Sequence, residues 1–166
     1  MRILALDLGA TTGWAVIVGN KVRWHGQVLF KGDRAQRFVT FRDWLIYHIT
    51  GWCGVVENGI DVNGCGKACL IFERPFSRGL AATRSLWGMA GIAEEVALDE
   101  YKVACLDIVP STIKKWATGN GRASKDNMIV AAEALIHYSV PEPLGEHEAD
   151  AIILGLYAAE NIEPGD

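Results

Sequence analysis

The first thirty residues alternate between apolar runs and turn-prone residues, which is the pattern of an antiparallel meander. Ile3 to Leu8 is a short apolar run typical of a buried strand, and Gly9 to Gly13 supplies small residues that bend the chain into the next one. Trp14 to Val18 continues as a second strand, Gly19-Asn20 is a two-residue hairpin signal, and Val22 to Phe30 alternates as a third. The chain therefore opens with three predicted strands.

The apolar spacing becomes helical after the third strand. Behind Asp33, which has the side chain of a helix N-cap, residues of one helix face recur every three to four positions at Phe38, Phe41, Trp44, Leu45 and either His48 or Ile49. Gly51 to Gly66 is rich in Gly and Asn and has no sustained period, so it predicts a loop or a broken continuation of this helix.

The second half of the chain alternates strands with helices. Ala68 to Phe72 predicts a short buried strand that ends on Glu73 and is stopped by Pro75. The pattern then predicts, in order, a helix over Gly79 to Glu100, a fifth strand over Val103 to Val109, a short helix from Pro110-Ser111, a turn at Gly119 to Gly121, and helices over Ser124 to His137 and Glu146 to Glu160.

This order predicts an α/β fold, with a mixed five-stranded sheet of three antiparallel strands followed by parallel ones and helices on both faces. The 166 residues, half of them hydrophobic and 22% charged, suit a single domain over residues 1–166. The apolar runs are too short to cross a bilayer, so we expect a soluble, cytoplasmic protein with no membrane contact.

The four cysteines do not point to a metal site. Cys53, Cys65, Cys69 and Cys105 contain no C-x-x-C pair, and buried or half-buried thiols are the expected reading. A zinc site at Cys65 and Cys69 would need a second pair of ligands, and the sequence has none at matching spacing.

The charges are unevenly distributed. The net charge of −4 argues against a protein that coats nucleic acid through overall positive charge, so any nucleic-acid contact must be local. Acidic residues gather over Glu94 to Glu100 and Glu142 to Asp150, whereas positive charge clusters at Lys114, Lys115, Arg122 and Lys125.

Three acidic residues occupy positions where a lone carboxylate is costly. Asp7 lies in a predicted core strand, Glu73 ends another, and Asp150 lies beside the apolar face of the last helix. Buried carboxylates are normally paired, protonated or bound to a cation. If the first and fourth strands are neighbours, Asp7 and Glu73 converge, and a helix packed across their ends brings Asp150 to meet them. Such oxygen ligands suit Mg²⁺ or Mn²⁺, and two ions together can cleave a phosphodiester.

Simpler interpretations of these residues stay open. Asp7 is also typical of a turn, and Glu73 also suits an ion pair with Arg74. His147 precedes Asp150 by three residues and shares its helix face, where it would bind metal, move a proton, or lie in solvent. Glu146 and Glu148 would face solvent or serve the helix N-terminus.

Five segments, in this order, resemble the RuvC-type Holliday junction resolvases: LALDLGATTGWAV, IFERPF, LAATRSLWGMAGIAEEVA, IVPSTIKKWATGNGRASKDNMI and EHEADAIILGLYA. The resemblance implies a ribonuclease H-like endonuclease, usually a homodimer, that makes paired cuts in four-way DNA junctions with two Mg²⁺ ions per site, Mn²⁺ substituting. It implies Asp7, Glu73, His147 and Asp150 as catalytic metal ligands. Bacterial members usually act with a helicase partner, and a phage or mobile-element branch would cut a broader range of branched DNA.

The resemblance also gives the basic segment a purpose, which is to place the DNA backbone near the metals. The residues implied are Lys114, Lys115, Gly119, Gly121, Arg122 and Lys125. For the lysines the alternative is a solvated helix face, and for the glycines a plain turn.

The helix Gly79 to Glu100 is the predicted dimer interface, through Leu86, Trp87, Met89, Ala90 and Ile92, unless these residues pack on the sheet. Phe76 and Trp14 would either stack on a splayed base or, as the more usual role, pack in the core.

Two other classes of function are considered. The segment LDLGATTG also fits the phosphate-binding start of the actin, Hsp70 and sugar-kinase group, but that group uses two such domains in a much longer chain. A non-catalytic relative that grips branched DNA without cutting it is the second alternative, and the presence of all four candidate site residues argues against it.

Overall fold

The computed structural model describes residues 1–53, 56–57, 60–61, 68–76, 79–100, 102–136 and 142–162. Its main sheet has five strands in the order β3-β2-β1-β6-β7. They are β1 Arg2–Asp7, β2 Thr11–Val18, β3 Lys21–Leu29, β6 Ala68–Glu73 and β7 Ala104–Ile108, while β4 Val56–Glu57 and β5 Ile60–Asp61 pair separately. Strands β1 to β3 are antiparallel, and β1, β6 and β7 are parallel, which confirms the predicted mixed sheet.

The helices lie on both faces of this sheet, as predicted. They are α1 Arg34–Cys53, α2 Leu80–Glu95 followed by a π-helical turn Val96–Glu100, α3 Pro110–Thr118, α4 Lys125–Leu135 and α5 Glu146–Asn161. One apolar core joins α3, α4 and α5 to the sheet and a second joins α1 and α2 to its other face. Among the described helices none is long and apolar enough to span a membrane.

Several boundaries differ from the predicted ones. Strand β2 begins at Thr11 rather than Trp14, so Gly13 lies within the strand and pairs with Asp7. The Asp33 cap is confirmed, since Asp33 Oδ1 accepts a hydrogen bond from Gln36 N and Gln36 Oε1 accepts one from Asp33 N.

The segment Gly51 to Gly66 is only partly described. Helix α1 extends through its first residues to Cys53, and β4 and β5 lie inside it. The rest, including Cys65, lies outside the described residues, as does His137 at the predicted end of α4. Burial raises the pKa of Cys69 to about 11 and that of Cys105 to about 12, so these thiols are packing residues.

Part of the predicted dimer interface belongs to the core instead. Met89 and Ala90 are each 1% exposed because this side of α2 packs on the sheet, so their assignment to a partner surface is wrong. Trp87, on the other side of the helix, is 51% exposed. Trp14 packs against the α1 side of the sheet, whereas Phe76 is 69% exposed, so a core role for Phe76 is excluded.

Candidate active site

The parallel pairing of β1 with β6 brings two of the acidic residues to one edge of the sheet. Leu6 pairs with Phe72, and Asp7 and Glu73 are the residues that follow at the carboxyl ends of these strands. The carboxyl edge of parallel strands is the usual place for a site in an open α/β sheet. The predicted neighbourhood of the first and fourth strands of the main sheet is therefore confirmed.

Helix α5 reaches this edge because two glycines let it lie directly on the sheet. A Cβ atom at Gly13 would be 1.7 Å from the carbonyl oxygen of His147, and one at Gly155 would be 2.6 Å from Ile17 Cγ1. Any side chain at Gly13 would push the first turn of α5 away from β2. The glycine in the strand thus sets how near His147 comes to Asp7.

The first turn of α5 meets β1 through a short polar contact. His147 Nδ1 lies 2.6 Å from Asp7 Oδ2, in a half-buried position. This hydrogen bond is the largest influence on the histidine and raises its pKa, while burial opposes the rise. Asp7 therefore does more than form a turn.

Asp150 has the electrostatics of a carboxylate that lacks a counter-ion. Its Oδ1 is buried and has no hydrogen-bond partner among the residues described. Burial, reinforced by the negative charge of Asp7, raises the pKa of Asp150 to about 6, although Lys114 acts in the opposite direction. A buried oxygen without a partner is the kind of group that a cation would satisfy.

These residues line one cavity of about 200 Å³. Its lining comprises Asp7, Leu8, Glu73, Arg74, Pro75, Phe76, Leu86, Lys114, Lys125, Glu146, His147 and Asp150. All four predicted acidic-centre residues therefore meet, together with two of the predicted basic residues. The alternative prediction for Glu73 is an ion pair with Arg74. In the structure Arg74 Nε donates a hydrogen bond to Asp107 on β7, and this contact competes with that ion pair.

The donor set suits a hard divalent cation. Four carboxylates and an imidazole share the cavity. The carboxylate of Glu146 is paired with Lys125, whereas Asp150 Oδ1 is an acceptor that no described side chain satisfies. Within the described ranges, however, no three His, Cys, Asp or Glu side chains form a group that could hold an ion by themselves. A hard divalent cation in this cavity would need waters or substrate oxygens to complete its coordination.

The other predicted DNA-binding residues lie away from the cavity lining. Lys115 is exposed, and its carbonyl accepts a hydrogen bond from Gly119 N at the end of α3. Gly119 has φ 75°, so it is required by the left-handed turn that ends the helix. Arg122 is exposed in the following turn, and a Cβ at Gly121 would be 3.1 Å from the Ser111 carbonyl oxygen.

Sequence analysis missed the roles of the two acids that flank His147. Glu146 Oε1 pairs with Lys125 Nζ, so a predicted phosphate-binding lysine is held by a carboxylate in the cavity. Glu148 Oε1 lies 2.6 Å from His25 Nδ1 on β3, and its Oε2 accepts a hydrogen bond from Gly145 N. The helix-terminus role predicted for Glu148 is confirmed, but no local signal identifies the His25 contact across 123 residues.

The loop that resembles a phosphate-binding motif is held by its own threonine. The hydroxyl of Thr12 is fully buried, donates to Gly9 O at 2.8 Å and lies 3.3 Å from Gly9 N. This contact closes a structural turn between β1 and β2.

Comparison with known proteins identifies the fold. No family model and no curated protein matches the sequence. The structure of Thermus thermophilus RuvC matches with a TM-score of 0.71 at 17% identity over 96% of each chain. T. thermophilus RuvC in complex with Holliday junction substrate matches with a TM-score of 0.71 at 18% identity, over 96% of this chain and 93% of that one.

The yeast mitochondrial Holliday junction resolvase Ydc2 matches with a TM-score of 0.65 at 13% identity, over 95% of this chain and 77% of that one. These three structures share nearly the whole length of the chain rather than a fragment of it. The protein therefore has the ribonuclease H-like fold of the RuvC and Ydc2 resolvases, as the sequence predicts.

Proposed function

We propose that the protein is a Mg²⁺-dependent endonuclease that hydrolyses phosphodiester bonds in four-way DNA junctions and other branched DNA. The observation that carries the proposal is the single cavity in which Asp7, Glu73, Asp150 and His147 meet two lysines. The fold is also that of the yeast mitochondrial Holliday junction resolvase Ydc2 and of T. thermophilus RuvC, which has been seen in complex with a Holliday junction substrate. We place this work in the cytoplasm; a helicase partner is compatible with the proposal but is not required by it.

Asp7, Glu73 and Asp150 would hold the metal, with His147 as a further ligand or proton carrier. Two bound Mg²⁺ ions would activate the attacking water and stabilise the leaving oxygen, with Mn²⁺ as a substitute. The protein's own part is to fix the carboxylates. Asp7 has one oxygen held by His147, while Asp150 presents Oδ1 without a partner among described side chains. An ion would favour the charged form of Asp150 and offset its burial.

The two ring nitrogens of His147 have different roles in this proposal. Its Nδ1 is engaged by Asp7, which fixes the ring and leaves Nε2 for a proton or a metal. Because the Asp7 contact raises the pKa of His147, the ring holds its proton to higher pH than a solvated histidine would. We assign it the transfer of a proton within the cavity.

The lysines and an exposed aromatic residue supply the contacts to DNA. Lys114 and Lys125 line the cavity and would hold a phosphate against the metal centre. Phe76 lies in the same lining and is 69% exposed, so its ring can stack on an unpaired base at a branch point. A base can contact this ring only after it has left the DNA double helix. Because bases at a branch point are more easily unpaired, this contact would favour branched over linear DNA.

Helix α2 supports the proposed homodimer through its exposed face. Exposed positions recur along one side of the helix and into the turn that follows, at Leu80, Arg84, Trp87, Gly91, Glu94 and Leu98. Three of these are large apolar residues more than half exposed. Such a stripe on a helix that already buries its other side suits contact with a second copy.

The stripe is complementary to itself when two copies run antiparallel. With the two-fold axis midway between Trp87 and Gly91, Arg84 would face the partner subunit's Glu94 and the terminal leucines would face each other. Trp87 would face the partner subunit's Gly91, where an added Cβ would meet nothing within 4 Å. This isologous contact would place two acidic centres on one particle, as paired cuts require.

A junction assay tests the proposed activity. We expect the protein with Mg²⁺ to cleave a synthetic four-way junction, and Asp7→Asn to abolish cleavage while leaving junction binding intact; the exposed Asp43→Asn is the matched control. Three-way, flap and linear substrates measure the breadth of the activity. Cleavage unaffected by Asp7→Asn would refute the mechanism, and binding without cleavage under Mg²⁺ or Mn²⁺ would favour a non-catalytic branched-DNA binder. ATP binding in calorimetry without nuclease activity would favour the actin-like alternative.

Sedimentation tests the dimer separately. Trp87→Glu should give a monomer that loses paired cuts. Arg84→Glu and Glu94→Arg should each weaken the dimer, whereas the double exchange should restore it. A parent chain that is monomeric at micromolar concentration would contradict the dimer.

A further inference from the structure

A second cavity, here called the arginine groove, lies between the start of α1 and the start of α2. Its volume is about 420 Å³, and it shares no lining residue with the candidate active site. The lining comprises Asp33, Arg34, Ala35, Arg37, Ala81 and Ser85. Two guanidinium groups, one hydroxyl and two small alanines give a groove with room for an oxyanion.

Arg37 contains a donor that no described residue satisfies. Its Nε is buried and has no hydrogen-bond partner in the described part of the chain. A guanidinium is always charged, and a buried donor without an acceptor is costly, so an acceptor is expected from outside the protein. Arg34 is exposed at the same groove and adds a second positive charge.

The single acid in the groove already has a structural role. Asp33 Oδ1 accepts a hydrogen bond from Gln36 N at 2.9 Å, and this contact caps α1. Its charge lowers the net positive charge of the groove but leaves the two arginines in excess. The groove therefore favours an anion whose oxygens accept several hydrogen bonds, which is the chemistry of a phosphate.

The position of the groove relates it to the candidate active site. Helix α2 is a wall of both cavities, since Ala81 and Ser85 line the groove and Leu86 lines the active-site cavity. Ser85 and Leu86 are consecutive residues of this helix, so the two cavities lie at the same level of α2, on different sides of it. Lys114 and Lys125 approach the active-site cavity from α3 and α4.

We propose that the arginine groove binds a backbone phosphate of the DNA that occupies the active-site cavity. Arg37 and Arg34 donate to its oxygens, so the strand is held on both sides of the acidic centre, by the lysines of α3 and α4 and by the arginines of α1. The inference rests on the proposed function and extends the DNA-binding surface to an element that the basic segment does not include.

The test is the salt dependence of junction binding, measured in an Asp7→Asn background so that no DNA is cut. Removing one phosphate contact should lower the slope of log Kd against log salt by roughly 0.9 and weaken binding about tenfold. We expect this for Arg37→Gln and for Arg34→Gln. Lys21→Gln is the matched control, because Lys21 is exposed at the end of the sheet remote from Asp7 and should change neither quantity.

Two further measurements separate the possible outcomes. Arg34 is exposed, so its variant should fold even if Arg37→Gln lowers the unfolding midpoint. Unchanged salt slopes in both variants would overturn the proposal. The proposal would also be overturned if the groove bound only inorganic phosphate. In that case phosphate would raise the unfolding midpoint in an arginine-dependent way, while the arginine variants would bind DNA as the parent does. Failure of the parent chain to bind any junction would instead overturn the proposed function, and this inference with it.

Discussion

Asp150 should lower the stability of the metal-free protein, and its replacement by Asn should raise it. The carboxylate is buried beside the negative charge of Asp7, so the folded state disfavours its ionised form. A pKa of about 6 in place of the ordinary 3.8 corresponds to roughly 3 kcal/mol at a pH above both values. Because Asn keeps the shape without the charge, Asp150→Asn should recover up to this amount.

The sign of the effect fixes its pH dependence. A carboxyl whose pKa is raised by folding gives full stability below its unfolded pKa of 3.8, and this stability is lost as the pH rises through the folded value of about 6. The advantage of Asp150→Asn in the free energy of unfolding should therefore be largest at pH 8. It should fall to about half at pH 5, because the unfolded chain is then largely ionised and the folded one largely protonated.

Urea unfolding with EDTA, at pH 8 and pH 5, measures this difference directly. Glu160→Gln is the matched control, because Glu160 is exposed near the other end of the same helix and should show little change at either pH. When Mg²⁺ replaces EDTA, it should stabilise the parent chain and not Asp150→Asn. The difference in free energy of unfolding between the two proteins should then become smaller. Equal stability at pH 8, or a deficit in the variant that does not change with pH, would refute the reasoning.

Three other substitutions test how the first turn of α5 is held. Gly13→Ala should cost about 1–3 kcal/mol in urea unfolding and most of the cleavage rate, because its Cβ would displace the His147 carbonyl; parent-like values would contradict this. Glu148→Gln should raise the Mg²⁺ concentration for half-maximal cleavage severalfold at unchanged junction Kd, and a change in Kd alone would count against a positioning role. Glu146→Gln should tighten junction binding severalfold by releasing Lys125, and unaltered Kd would show that the pair does not compete with DNA.

The sheet and its acidic edge could be predicted from the sequence because both depend on local pattern. Apolar runs with turn signals set the strands, and a strand that ends in a carboxylate, as at Asp7 and Glu73, remains visible without tertiary information. The helical spacing behind Asp33 and the helix start predicted at Ser124 are likewise local signals, and in the structure Ser124 accepts from Asn127 N.

Features that depend on close approach between distant elements could not be predicted. Gly13 looks like part of a turn in the sequence, and its role in the strand appears only when α5 lies across it. Met89 and Ala90 share an apolar helix with Trp87, and only the position of the sheet decides which side is buried. The arginine groove has no local signal in the sequence, because Arg37 and Ser85 are 48 positions apart in the chain.

The acids at the start of α5 show how one helical turn can separate structural carboxylates from those available to a ligand. The helix N-terminus favours negative charge at Glu146 and Glu148, and each has a basic partner from a different element, Lys125 on α4 and His25 on β3. One turn further on, Asp150 is buried with its Oδ1 lacking a partner among the residues described. Since the first two have basic partners and Asp150 Oδ1 has none among the described residues, Asp150 is the carboxylate that the proposed function assigns to a metal ion.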